Sequence, residues 1–190
     1  MRLNLGCGGH HREGWINVDR AAALAPDQVV DLETTPWPWP DDSVDEILLS
    51  HVLEHLGETP RAFLAVMGEL WRVCRNGARI TIVVPHPRHD SFLNDPTHVR
   101  PITPEGLVLF DHARNLAWQA EGIGNSPLGL ILGIDLEVTG LAHDLEEPWL
   151  SQAQAGTLDR AALIAAEKQF NNVIRQTTLE IRVHKPVRRG

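Results

Sequence analysis

Short apolar runs that each stop at a glycine, an aspartate or a proline recur through the first half of the chain, and they leave few folds open. Arg2 to Leu5 ends at Gly6-Cys7-Gly8-Gly9, Trp15-Ile16-Asn17-Val18 at Asp19, and Val29-Val30 at Asp31. Asp45 to Ser50 gives a fourth run, and Arg79 to Val84, rich in β-branched residues, stops at Pro85. Between the last two, Phe63, Val66, Met67, Leu70, Trp71 and Cys74 fall at spacings of three and four. That spacing predicts a helix from about Pro60 to Arg75 with one buried stripe, closed by Asn76-Gly77. Near-continuous apolar strands alternating with helix predict a parallel sheet covered on both faces, an α/β fold.

The second half is less regular. His86 to Pro101 reads as a polar loop, followed by a short helix opening at Thr103-Pro104-Glu105. A strand is expected within Leu128 to Val138, a helix over Ala155 to Asn171, and a last strand over Thr178 to His184. Pro36-Trp37-Pro38-Trp39-Pro40 is a rigid loop within the domain, its tryptophans packing the loop down, and Trp71 belongs to the core stripe.

Bulk properties narrow the class. The 190 residues fit a single domain, 1–190, with 43% hydrophobic and 22% charged residues, a globular balance. No apolar run approaches the roughly 20 residues that cross a bilayer, so no membrane association is expected. The opening residues read as strand and lack the pattern of a secretory signal, which makes the expected location cytoplasmic. Two cysteines, Cys7 and Cys74, cannot build a disulfide scaffold. A formal charge of −8 disfavours nucleic acid as a partner, despite the Arg-rich end from Arg182 to Arg189.

Glycine directly after a strand lets backbone approach a ligand with no Cβ in the way, and ligands of open α/β sheets bind beyond the strand ends. The turn Gly6-Cys7-Gly8-Gly9-His10-His11 is not the full dinucleotide fingerprint, because His11 stands where the third glycine would. Asp19 also comes thirteen positions after Gly6, against about twenty in that fold. Only ten residues separate Leu5 from Ile16, so any helix between them is short. A carboxylate at the end of the second strand can accept hydrogen bonds from both hydroxyls of a ribose, which is the role expected of Asp19. Asp31, at the end of the third, can accept from an adenine amino group.

Taken together, Leu3-Asn4-Leu5-Gly6-Cys7-Gly8, Gly14-Trp15-Ile16-Asn17-Val18-Asp19, Asp31-Leu32, Trp39 to Asp45, His51-Val52-Leu53-Glu54-His55-Leu56 and Arg72 to Ala78 resemble the class I SAM-dependent methyltransferases, the type 11 group most of all. The resemblance covers about the first 85 residues and makes 1–85 the cofactor half and 86–190 the acceptor side. It implies a doubly wound, mostly parallel seven-stranded sheet with an antiparallel edge, where the residues alone support about five strands. It implies S-adenosylmethionine as cofactor and S-adenosylhomocysteine as product. Gly6, Cys7 and Gly8 would then border the methionine portion, Asp19 the ribose, Asp31 and Leu32 the adenine, and Ser50 with His51 the sulfonium. Asn4 stands where many members carry an acid, so it can orient the amino-acid end without supplying a charge.

Past the fifth strand, His86-Pro87-Arg88-His89-Asp90 and Asn94-Asp95-Pro96-Thr97-His98-Val99-Arg100 lie on the binding side of the sheet. Histidine suits a general base, its unperturbed pKa lying near 6.5. The catalytic candidates are His98, then His86, with Asp95 orienting; Arg100 and His89 are candidates for holding the acceptor. The acceptor expected is a small molecule or sugar. Three readings compete with catalysis of methyl transfer: a silent SAM-binding partner or regulatory subunit, a divalent metal in the polar loop, and a zinc peptidase through His51-x-x-Glu54-His55. The peptidase requires both histidines one turn apart on a helix.

Overall fold

The computed structural model describes residues 1–189. Seven strands form one sheet: β1 (Arg2–Leu5), β2 (Ile16–Asp19), β3 (Gln28–Val29), β4 (Val44–Ser50), β5 (Cys74–Pro85), β6 (Leu136–Leu145) and β7 (Ile174–Val183). Their order is β3-β2-β1-β4-β5-β7-β6. The first five run parallel, with Leu3 opposite both Ile16 and Ile47 and Ile47 opposite Ile80. β7 lies antiparallel between β5 and β6, giving the antiparallel edge that the resemblance implies. Chain direction reverses its progress across the sheet between β1 and β4, the switch point where an open sheet leaves a crevice.

Helix α1 (Pro60–Val73) begins at Thr59, whose side chain caps the Ala62 amide, and buries Phe63, Val66, Met67, Leu70 and Val73. These join Leu3, Leu5, Ile47, Leu49, Ile80 and Ile82, all at most 1% exposed apart from Phe63, in the main core. Burial of each such side chain contributes about 1.5–3 kcal/mol. The remaining helices are short: α2 (Asp90–Leu93), α3 (Pro104–Val108), α4 (His112–Glu121), α5 (Leu128–Leu132), α6 (Trp149–Gln154) and α7 (Arg160–Gln169). Among the described residues no helix is long and apolar enough to cross a membrane.

Several sequence expectations are corrected. The helix ends at Val73, and Asn76-Gly77 lies inside β5, where the register shifts between the pairs Val44–Cys74 and Glu46–Arg79. Extra residues in β5 at that point make a bulge, and Gly77 at φ +78° supplies the turn that the bulge needs. The strand expected within Leu128 to Val138 begins only at Leu136, as β6, and Leu128 to Leu132 before it is helix. Gly129 explains it: a Cβ there would meet the His112 backbone nitrogen and Asn115 Oδ1 at 2.9 Å, so the apolar run docks end-on against α4. The helix expected over Ala155 to Asn171 is shorter, α7 from Arg160 to Gln169: α6 ends before it at Gln154, Gly156 (φ +70°) turns the chain, and Asp159 caps the Ala162 amide at 2.8 Å. His86 to Pro101 holds one helical turn, α2, capped by His89.

One expectation about packing holds. Trp37 and Trp39 are buried, and the Glu69–Arg72 pair clamps their loop. Glu69 accepts the Trp37 amide at 2.6 Å, while Arg72 donates to the carbonyls of Trp37 and Trp39. The Arg-rich end is tied down by Arg188, which pairs with Asp111, Asp135 and Glu137.

Candidate functional site

Every parallel strand delivers its carboxyl end to the same edge of the sheet, and the side chains there line two adjoining cavities that share Gly6 and His51. One, of about 440 Å³, is bordered by Asp19, Arg20, Asp31, Leu32, Val52 and His55. The other, of about 750 Å³, is bordered by Asn4, Cys7, Gly8, Arg12, Ser50 and His51. They form one trough over the switch point.

No helix stands between β1 and β2; ten residues of turn make the crossover. Side-chain hydrogen bonds replace the helix as its brace. Asn4 is 3% exposed and its Nδ2 donates to the His10 carbonyl at 2.9 Å and to Asn17 Oδ1 at 3.0 Å. Asn17 in turn holds the Arg12 amide and is itself held by Asp27. The two arginines Arg2 and Arg12 sandwich the Trp15 ring at 5.5 and 5.1 Å. Asn4 is thus first a brace for the glycine turn, and among the described residues nothing donates to its Oδ1, the atom left for a ligand.

Gly6 and Gly8 both have positive φ, +65° and +52°. A Cβ on Gly6 would stand 2.4 Å from Val52 Cγ2, whereas one on Gly8 would meet no protein atom within 4 Å and would project into the trough. Asp19 Oδ2 accepts the Gly8 amide at 2.9 Å and Oδ1 accepts the Ala21 amide at 2.9 Å. Each oxygen keeps a lone pair free, and the carboxylate borders the 440 Å³ cavity. Asp31 folds onto its own turn, accepting from the Glu33 amide and the Thr34 hydroxyl, and also borders that cavity. Cys7 is buried beneath the turn, and burial followed by the nearby Asp19 charge pushes its thiol pKa up.

β4 ends at Ser50, and His51 takes φ +57°, a left-handed conformation uncommon outside glycine. A single tight turn, Leu53–His55, follows. The peptidase pattern therefore lacks the helix that would place His51 and His55 one turn apart. His51 Nδ1 lies 3.6 Å from Glu54 Oε1, and this carboxylate raises the imidazole pKa against the opposing effect of burial.

The polar-loop candidates fall in three places. The His98 side chain is 7% exposed, with Nδ1 2.8 Å from the Phe92 carbonyl, its ring stacked on Phe92 at 5.2 Å and tilted against His55 at 4.5 Å. Asp95 is bound by Thr97, whose hydroxyl and amide hold its carboxyl below the usual range. His86 sits beside β6 and β7, its amide on the Arg175 carbonyl and its ring 6.5 Å from His143; burial, then His143, lowers its pKa. None of these three borders the trough, which His51, His55, Thr97 and Val99 do. Arg100 faces elsewhere, over the Phe63 ring at 4.4 Å, in a separate apolar cavity of about 330 Å³. His89 lies 3.4 Å from Glu146.

Residues of the trough that sequence reasoning passed over are Arg12, Arg20, Val52 and Thr97, and His55 entered it only as a ligand of the peptidase reading. Arg20 had a signal, following Asp19 directly; the others reach the trough only through tertiary turns.

Residues 3–82 match the profile of the Methyltransf_11 family, described as a methyltransferase domain. No curated protein sequence matches the chain significantly. Solved structures match throughout its length. A SAM-dependent methyltransferase from Archaeoglobus fulgidus aligns with TM-score 0.60 at 18% identity, covering 95% of this chain and 85% of that one. One from Methanosarcina mazei gives TM-score 0.55 at 13% identity, covering 96% and 92%. The cyclase SpnF gives 0.56 at 18%, covering 96% and 74%, so the fold also carries other chemistry. By strand order, glycine turn and these matches, the chain has the Rossmann-like fold of these methyltransferase structures, and its residues 3–82 match the methyltransferase-domain family.

Proposed function

We propose that the protein binds S-adenosylmethionine along the trough and transfers its methyl group to a small-molecule or sugar acceptor. The observation that carries this reading is Asp19: a carboxylate fixed by two backbone amides at the end of β2, with lone pairs left for a pair of vicinal hydroxyls. The residues present suit the whole cofactor. Gly8 leaves open space where a side chain would intrude, and Leu32 and Val30 offer an apolar wall for a purine. Asn4 Oδ1 can accept from the ammonium and Arg12 can meet the carboxylate at the amino-acid end, restoring part of the charge that Asn4 lacks.

The cofactor supplies an electrophilic methyl whose positive charge disappears on transfer, so the protein's part is positioning and exclusion of water. His51 borders both cavities and Ser50 the larger one, which supports a role for them beside the transferred group. A silent SAM-binding subunit remains the second reading, favoured by the placement of His86, Asp95 and His98 outside the trough; His51 and His55 in its wall favour catalysis.

Calorimetric titration of S-adenosylhomocysteine into the wild type and Asp19→Ala tests the site. The expected loss is about 1–3 kcal/mol, the value of a charge-assisted hydrogen bond, with thermal melting used to check that the variant folds. Absence of saturable binding by the wild type refutes the proposal. Release of S-adenosylhomocysteine from S-adenosylmethionine across a panel of hydroxylated and amine acceptors separates catalysis from silent binding.

A further inference from the structure

Glu54 is 0% exposed, yet neither of its carboxylate oxygens has a hydrogen-bond partner among the described residues. A buried charge without donors is costly and calls for a cation. The groups that surround it are imidazoles. Oε1 lies 4.0 Å from His98 Nε2 and 3.6 Å from His51 Nδ1, and one ligand atom each from Glu54, His55 and His98 fall within 4.8 Å of one another.

The hydrogen bonds of these rings fix which nitrogens carry protons. His98 Nδ1 faces the Phe92 carbonyl at 2.8 Å and must donate, which leaves the Nε2 lone pair on the side of Glu54. The Thr97 hydroxyl donates to Asp95 at 2.6 Å, so His55 Nδ1, 2.9 Å from that hydroxyl and 3.3 Å from the Thr97 carbonyl, is a donor too. His51 Nε2 donates to Gln176 Oε1 at 3.2 Å, the amide being oriented by its own nitrogen's bond to Asp144. The rings of His55 and His98 thus donate outward through one nitrogen and keep the other as an acceptor, while His51 Nδ1 stands off at 3.6 Å from Glu54. Lone pairs and a donorless carboxylate cannot satisfy one another. Outward donation to carbonyls and carboxylate-linked groups is the arrangement that holds imidazoles as metal ligands.

We propose that Glu54, His55 and His98 bind one divalent first-row metal ion, zinc foremost, with its open coordination positions turned toward His51 and the trough. Imidazole and carboxylate together suit zinc and its neighbours rather than magnesium or calcium. Three protein ligands with a position left open is the pattern of a reactive zinc site rather than a closed structural one. Because His51 and His55 border the trough, an oxygen of the methyl acceptor can reach such a metal and be activated toward deprotonation there. Only this last part rests on the methyltransferase reading; metal binding itself does not.

The test begins with chelator-stripped full-length protein titrated with cobalt(II), followed by absorption in the visible region, then with zinc in competition. The expected result is one equivalent of cobalt with d–d bands, displaced by zinc. Affinity should fall by roughly tenfold or more in both Glu54→Gln and His98→Ala, and stay unchanged in His143→Ala, an imidazole outside the cluster. Wild-type protein that takes up no cobalt overturns the proposal, as does uptake indifferent to both cluster variants, or uptake lost equally in His143→Ala. Should a cluster variant fail to fold, the wild-type stoichiometry and spectrum still decide. S-adenosylhomocysteine titrated into the same stripped protein keeps failure of the cofactor reading separate from failure of this one.

Discussion

Gly6→Ala should be among the more damaging single-methyl additions available to this protein. Gly6 occupies φ +65°, and an alanine there carries the left-handed cost of about 1–2 kcal/mol. Its Cβ would also stand 2.4 Å and 2.8 Å from the two Val52 methyls. Val52 is 8% exposed and packed in the core, so it cannot swing away freely; overpacking of this kind costs about 1–3 kcal/mol. The combined loss is about 2–5 kcal/mol. Gly8→Ala is the internal control: its φ is +52°, but a Cβ there meets nothing within 4 Å. It should lose only the conformational part, about 1–2 kcal/mol, while its methyl, projecting into the trough, weakens S-adenosylhomocysteine binding. Urea unfolding of both variants measures the difference. A double-mutant cycle with Val52→Ala isolates the clash, and a favourable coupling of about 1–3 kcal/mol is expected between Gly6→Ala and Val52→Ala. If Gly6→Ala costs no more than Gly8→Ala, or if the cycle shows no coupling, the reasoning from close approach is wrong.

Three further outcomes follow from the ion pairs and thiols. Arg188→Ala should cost about 3 kcal/mol in chemical unfolding, because it strands Asp135, a carboxylate 0% exposed; the lower end of the range applies since Arg188 is 28% exposed. Stability should decline as pH falls below the ordinary carboxylate range. Glu69 is held low by Arg72, and Asp135 is held low by Arg188 in spite of its burial, so the unfolded chain takes up protons first and stability is lost as pH drops through the folded values. Melting temperature against pH checks this, and Arg188→Ala should flatten the slope. Neither cysteine should react quickly with a disulfide reagent at pH 8 before unfolding, because burial raises both thiols, Cys74 to about 12, and both react once the chain is denatured.

Much of the first half was legible in the sequence because the signals are local. A short apolar run followed by glycine specifies a strand and the turn that leaves it, and Asp19 at the end of the next strand needs only the parallel pairing of β1 with β2 to reach the Gly8 amide. Strand periodicity and the stripe of α1 were equally local, and they placed most of the core. The second half was harder, since short apolar runs there carry no unique period. Leu128 to Leu132 is helix because Gly129 permits contact with α4, a fact of packing between segments.

The polar loop shows where sequence reasoning stops. Sequence places His86, Asp95 and His98 beyond the fifth strand, but tertiary folding turns His98 inward to the Phe92 carbonyl, sends His86 toward β6 and β7, and leaves His51 and His55 on the trough. Glu54 is the clearest case. By itself it is one acid between leucine and histidine, and only the return of Thr97 to Arg100 over the Leu53–His55 turn, with the Val99 amide on the Glu54 carbonyl, buries its carboxylate among imidazoles. The sequence by itself determined the strands of the first half, the glycine turn and the aspartate at the end of β2, because those depend on neighbours a few residues apart. Tertiary structure alone decided that His98 meets Glu54 and Thr97 meets His55, because those contacts join residues more than forty positions apart whose directions are set by the whole sheet.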